Sequence, residues 1–77
     1  MQSPASIQAN LDRMNPMQRA AAKRAVGGLA IQALRVTETG RGAVRVVVTM
    51  DGMVTRLNLG PRGKLIERVI LGPDFEA

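Results

Sequence analysis

The side chains in this sequence that could do chemistry are mostly arginine guanidinium groups. Eleven Lys and Arg residues stand against six Asp and Glu, so the net charge is +5, and nine of the eleven cations are arginine. A guanidinium forms paired hydrogen bonds with a phosphate or a carboxylate, whereas a lysine ammonium acts as a point charge. The excess of arginine favours an anionic partner, with nucleic acid first among them. The alternative is that the charge serves only solubility.

Catalytic chemistry is not expected from the residue types present. The chain has no His, Cys or Tyr, which removes the usual general base, the thiol nucleophile and the soft metal ligands. Ser3 and Ser6 have no base to activate them, and the carboxylates are scattered along the chain. We therefore expect a protein that is not an enzyme and holds no metal or cofactor.

The cations suit the phosphate backbone of a nucleic acid better than its bases. Proteins that bind single-stranded nucleic acids stack the bases on aromatic side chains. The one aromatic residue here is Phe75, which lies in an acidic tail. The composition therefore leaves open salt-sensitive binding to the backbone of duplex DNA or of structured RNA, with little sequence selectivity. A ribosome-associated protein fits the same composition, and duplex DNA is the leading hypothesis. The candidate DNA-binding residues lie in a helical segment, in the sheet and in its turns: Arg19, Lys23, Arg24, Arg41, Arg45, Arg62 and Lys64.

The N-terminal segment predicts one kinked helix or two shorter ones. Ser3 is a suitable N-cap, Pro4 suits the first helical position, and an apolar stripe continues to about Met14. Because Pro16 in a helix interior would cost about 3 kcal/mol, the alternative is a restart in which Asn15 caps a second helix. Both alternatives stay open at this point.

The second helical segment carries positive charge without nearby compensation. Arg19 and Lys23 stand four residues apart, a spacing at which like charges on a helix repel each other. No acidic residue follows Asp12 in this segment, which ends at the pair Gly27-Gly28. We interpret the unbalanced charge as a sign of an anionic partner, the alternative being a solvated helix surface.

The segment Val36 to Pro61 predicts a β-meander, because three extended runs are separated by two short glycine turns. Asp51-Gly52 between two alternating runs is the strongest short-range hairpin signal, since both turn positions need positive φ. Residues 39–42 supply two further glycines for the first turn. The central run has the period of two that is typical of a half-buried strand, with one face formed by Val44, Val46, Val48 and Met50.

Residues 64–71 predict either a fourth strand or a short helix, and the run Val69-Ile70-Leu71 favours the strand. On a regular strand, Leu65, Glu67, Val69 and Leu71 share one side. An apolar run followed by Phe75 is also typical of a docking element. The candidate residues for binding a protein partner are therefore Val69, Ile70, Leu71 and Phe75.

Together these segments predict one small α+β domain, in which an N-terminal helix, kinked or split at Pro16, precedes an antiparallel β-meander of three to four strands. Residues 1–28 are helical, 29–59 form the meander, and 60–77 form a turn and a short C-terminal element. A domain this small buries about 60% of the surface of its unfolded chain, and without Cys we expect oligomerisation to bury more. No run approaches the roughly 18 apolar residues of a membrane span, and the N-terminus lacks a signal-peptide pattern, so we expect a cytoplasmic homo-oligomer.

The stretch Val36 to Arg62 resembles the YbaB/EbfC nucleoid-associated proteins, in which a helix leads into a meander of strands joined by a glycine-rich turn and a second short turn. Val36-Thr37 and Gly40-Arg41-Gly42 match the end of the first strand and its turn, Val44 to Val48 the central strand, and Gly60-Pro61 the break. The match covers about 27 residues and does not include the family's second long helix. The resemblance implies a homodimer that binds duplex DNA in the nucleoid with little sequence preference.

A second function is open to the same sequence, that of a small structural or adaptor subunit in a phage particle, a secretion system or a transcription complex. Its positive charge would then meet an acidic protein partner, and an exposed strand edge would take a partner strand. The apolar C-terminal run distinguishes the two functions, because it suits a protein contact better than a DNA contact.

Overall fold

The computed structural model describes residues 2–27 and 30–73. Two helices precede a four-stranded sheet in which each strand pairs antiparallel with the next along the chain. The α+β class is therefore confirmed, with the meander in its four-stranded form. The elements are α1 (Pro4–Leu11), α2 (Pro16–Val26), β1 (Ile31–Gly40), β2 (Ala43–Met50), β3 (Met53–Leu59) and β4 (Leu65–Pro73).

The N-terminal segment forms two helices because each has its own capping residue. The side chain of Ser3 accepts a hydrogen bond from the backbone of Ser6 at the start of α1. Asn15 has an extended backbone and forms a capping box with Gln18 at the start of α2, which satisfies two backbone N–H groups that a helix end leaves free. The predicted end of the first helix near Met14 is wrong, because α1 ends at Leu11.

The core lies between the helices and one face of the sheet. All four residues of the predicted apolar face of β2 are buried, from Val46 at 0% exposed to Met50 at 8%. Small side chains on α2, Ala21 and Ala22, let the helix lie close to the sheet. The turn between β2 and β3 has positive φ at both Asp51 and Gly52, as the sequence predicts. Within the described residues, no helix is long and apolar enough to cross a bilayer.

Side-chain amides of α1 and of the residues just before it cover part of the outer edge of β1. The Nε2 of Gln2 donates to the carbonyl of Leu34 at 3.0 Å, and the backbone N–H of Leu34 donates to Oε1 of Gln2. Further along, the N–H of Val36 donates to Oδ1 of Asn10 at 3.0 Å. An uncovered edge strand presents unpaired N–H and C=O groups that invite another strand. At Leu34 and Val36 these two amides occupy the edge of β1 in place of a strand.

Strand β4 forms the other edge, and its side-chain alternation is broken by two bulges. Ile66 is an extra residue between the pairs Leu59↔Leu65 and Asn58↔Glu67, and Leu71 is an extra residue near the other end. Paired residues in an antiparallel sheet share a face, so Leu65 lies on the helix side while Glu67 lies on the opposite, open face. The prediction that Leu65, Glu67, Val69 and Leu71 share one side is therefore wrong.

Candidate nucleic-acid interface

The first positive region lies at one end of the sheet, where two turns meet the start of α2. In a meander, the β1–β2 turn and the β3–β4 turn lie at the same end. The Nε2 of Gln18 donates to the carbonyl of Gly42 at 2.9 Å and to the carbonyl of Gly60 at 3.1 Å. The Nδ2 of Asn15 donates to the carbonyl of Pro61 at 2.6 Å. Two side chains of α2 thus hold both turns in place.

Gln18 is the central residue of this arrangement. Its side chain is 2% exposed, and it accepts the N–H of Asn15 in the capping box while donating to both turns. When a buried carbonyl loses its hydrogen-bond donor, the free energy of unfolding falls by about 1–3 kcal/mol. Gln18 therefore fixes the distance between the two turns and the helix, and with it the positions of the charged residues that the turns carry.

We call the cations at this end of the sheet the basic end. They come from two separate segments, the β1–β2 turn and the β3–β4 turn. All three are exposed, and within the described residues none of them forms an ion pair with a carboxylate. The start of α2 at the same end adds the partial positive charge of a helix N-terminus. The basic end consists of Arg41, Arg62 and Lys64. Arg13 of the α1–α2 loop lines a cavity with Asn10 and Thr37 and carries positive charge along the outer edge of β1.

The predicted cations of α2 are not gathered at one place. Arg19 forms an exposed ion pair with Asp12 at 3.7 Å, so the prediction that its charge has no acidic partner is wrong. Such exposed pairs contribute about 0–1 kcal/mol. Lys23 lies one helical turn beyond Arg19 on the same flank, and Arg24 lies about 100° around the helix from Lys23. Arg19 and Lys23 therefore continue the positive surface from the basic end, while Arg24 faces another direction.

Arg45 belongs to a separate polar network on the open face of the sheet. Its Nε donates to Oδ1 of Asn58 at 3.5 Å, and Nδ2 of Asn58 donates to Oε1 of Glu67 at 2.9 Å. Arg56 pairs with the same carboxylate at 3.3 Å, and its Nε is buried with no partner in the described structure. Arg35 lies on this face too, opposite Val47. Here the carboxylate of Glu67 offsets part of the charge, and the amide of Asn58 links Arg45 to that carboxylate by hydrogen bonds.

Sequence reasoning missed three contributors to these surfaces. Arg13 lies just before the predicted start of the second helix and belongs to no periodic pattern. Arg35 lies in a segment where the sequence does not show at which residue the strand begins. The third, Gln18, had a local signal, because Asn15 followed three residues later by Gln is the spacing of a capping box. Its contacts with the two turns are tertiary and have no local signal.

The predicted protein-binding residues fall on different sides of β4. Val69 pairs with Arg56 on the open face and is half-buried. Ile70 pairs with Thr55 on the helix side and is 60% exposed, and Leu71 at the second bulge is 38% exposed. Phe75 lies outside the described residues. An apolar surface is nevertheless present along β4, with Leu65 45% and Ile66 64% exposed.

The described residues contain no group of three or more His, Cys, Asp or Glu side chains that could hold a metal ion. Comparisons of the chain with protein-family models, with curated proteins and with solved structures find no match. Membership of the YbaB/EbfC family therefore stays a prediction from the residues of the meander.

Proposed function

We propose that the protein is a non-enzymatic, nucleoid-associated-like protein that binds the phosphate backbone of duplex DNA with little sequence selectivity. The contact surface in this proposal is the basic end. The observation that supports it is the convergence of Arg41, Arg62 and Lys64 from two turns that Gln18 holds together. The resemblance of the meander to YbaB/EbfC proteins gives the same function and would place the protein in the nucleoid of the cytoplasm.

The physical basis is the release of counterions from DNA. Each cation that neutralises a phosphate releases condensed counterions, and this term is independent of sequence. The three basic-end cations are exposed and lack carboxylate partners among the described residues, so binding DNA breaks no ion pair there. Fixed turns also lose less conformational freedom on binding than mobile ones. Arg19 and Lys23 extend the attraction along α2, and Arg45 adds to the overall positive field.

The proposal is tested by titrating the protein into a labelled duplex of random sequence at several salt concentrations. With three phosphates neutralised, we expect the logarithm of the binding constant to fall with the logarithm of salt at a slope of about −2.7. Affinity should then fall roughly 40-fold between about 50 mM and about 200 mM salt. Duplexes of different sequence should bind equally, and a single strand should gain nothing from base stacking. No binding at the lowest salt would exclude the proposal.

A second candidate function, an adaptor subunit that binds an acidic protein partner, is favoured by one observation. Strand β4 exposes Ile66 and Ile70, at 64% and 60%, along an edge that no described residue covers. Peptides bind such edges by adding a strand to the sheet. If the DNA titration is negative, this function takes first place. Deletion of residues 73–77 would then weaken partner binding, whereas it should leave DNA binding unchanged.

A further inference from the structure

We infer that the open edge of β4 pairs antiparallel with β4 of a second copy of this chain, which gives a dimer with one continuous eight-stranded sheet. The first ground is the difference between the two edges of the sheet. The edge of β1 is occupied at Leu34 and Val36 by the amides of Gln2 and Asn10, whereas the outer edge of β4 has no partner within the described residues. The bulges at Ile66 and Leu71 interrupt this edge, but the backbone between them, Glu67 to Ile70, is regular and open to pairing with another strand.

The second ground is charge. The chain as a whole carries +5, so two copies repel each other wherever cationic surfaces meet. Strand β4 contains one carboxylate, Glu67, and one guanidinium, Arg68, so its charges cancel. Approach of a second copy along β4 is therefore free of net repulsion at the contact, which favours this edge over α2 or the basic end.

The third ground is symmetry. Two identical strands that pair antiparallel are related by a two-fold axis, and such an interface closes on itself instead of growing into a fibre. An axis through Val69 places Arg68 opposite Ile70 of the second copy and Glu67 opposite Leu71 of the second copy, so like charges do not face each other. A sheet of eight strands is within the usual range.

The dimer has a consequence that rests on the proposed function. Because the two β4 strands run in opposite directions, the two basic ends lie at opposite ends of the shared sheet. One dimer would then contact two duplexes and hold them together. Pairing along β4 itself does not depend on DNA and can be measured without it.

The test is sedimentation velocity of the purified protein from about 5 µM to about 500 µM without DNA. One strand pair is a small interface, so we expect the mass to rise from the 8.2 kDa of the monomer to twice that value across this range. The double variant Ile66→Lys, Ile70→Lys should remain a monomer throughout, because it places charges on the edge. Both side chains are already more than half exposed, so the monomer should keep its fold by circular dichroism.

The matched control is the double variant Ala9→Lys, Ala20→Lys, which adds the same charge at exposed helix positions. It should dimerise like the original protein. A protein that stays at 8.2 kDa at the highest concentration would overturn the inference, as would a dimer that persists in the Ile66→Lys, Ile70→Lys variant. In a mixture of two labelled duplexes, the Ile66→Lys, Ile70→Lys variant should bind each duplex but should not hold two duplexes together. If the original protein dimerises but binds no DNA, that result counts against the proposed function alone and leaves the dimer in place.

Discussion

Neutralising three cations of the basic end is expected to weaken binding to duplex DNA by roughly 100-fold or more at about 100 mM salt. The variant is Arg41→Asn, Arg62→Gln, Lys64→Gln. Asn is chosen at position 41 because φ there is +54°, a region that Asn tolerates better than most residues. Loss of three phosphate contacts should also make the salt slope shallower by about 2.7. Both quantities come from fluorescence anisotropy titrations of one labelled duplex.

The matched control removes the same charge elsewhere, in the variant Arg24→Gln, Arg35→Gln, Arg56→Gln. Arg35 and Arg56 lie on the open face and Arg24 lies near the end of α2, outside both the proposed contact surface and β4. We expect this control to weaken binding less than about tenfold, through the lower overall field, and to leave the salt slope unchanged. Equal losses in the two triple variants would show that only net charge matters, and would contradict a localised basic end.

Replacement of Gly63 by Ala should be the most destabilising single change at the basic end. Gly63 has φ of +82°, and a Cβ at this position would lie 2.5 Å from the carbonyl oxygen of Met17. The obstructing atom is helix backbone, so the β3–β4 turn or α2 must move. We expect the free energy of unfolding to fall by about 3 kcal/mol, from the positive φ together with the overlap. Urea unfolding followed by circular dichroism measures it.

Gly52→Ala is the control for that experiment. Its φ of +73° is similar, but a Cβ there would meet nothing within 4 Å, so only the backbone conformation is penalised, at about 1 kcal/mol. A difference of about 2 kcal/mol between the two variants would then measure the close approach of the turn to α2. Equal losses would mean that the turn and the helix are not in contact.

The sequence predicts the parts of the fold that have local causes. Asp51-Gly52 predicts its hairpin because both positions need positive φ, and the alternation of β2 predicts its buried face because a strand has a period of two. The choice between one helix and two at Pro16 also had a local answer, in the spacing of Asn15 and Gln18. These features do not depend on the rest of the chain.

The remaining features depend on tertiary contacts. The bulges at Ile66 and Leu71 change which face each side chain of β4 occupies, and a regular period cannot predict an extra residue. The amides of Gln2 and Asn10 cover the edge of β1, yet neither belongs to a periodic pattern. For the site, the sequence identifies Arg41, Arg62 and Lys64 as candidates, but their common location follows only from the pairing of the strands.

The central claim, that duplex DNA contacts the basic end, is tested most directly by nuclear magnetic resonance of the 15N-labelled protein during titration with a short duplex. The largest amide shifts are expected from the two turns and the start of α2, with little change in the middle of β1 or β3. The residues expected to shift are Gln18, Arg41, Gly42, Arg62, Gly63 and Lys64. Shifts centred on the open face of the sheet, or no shifts at low salt, would rule out the basic end as the DNA contact.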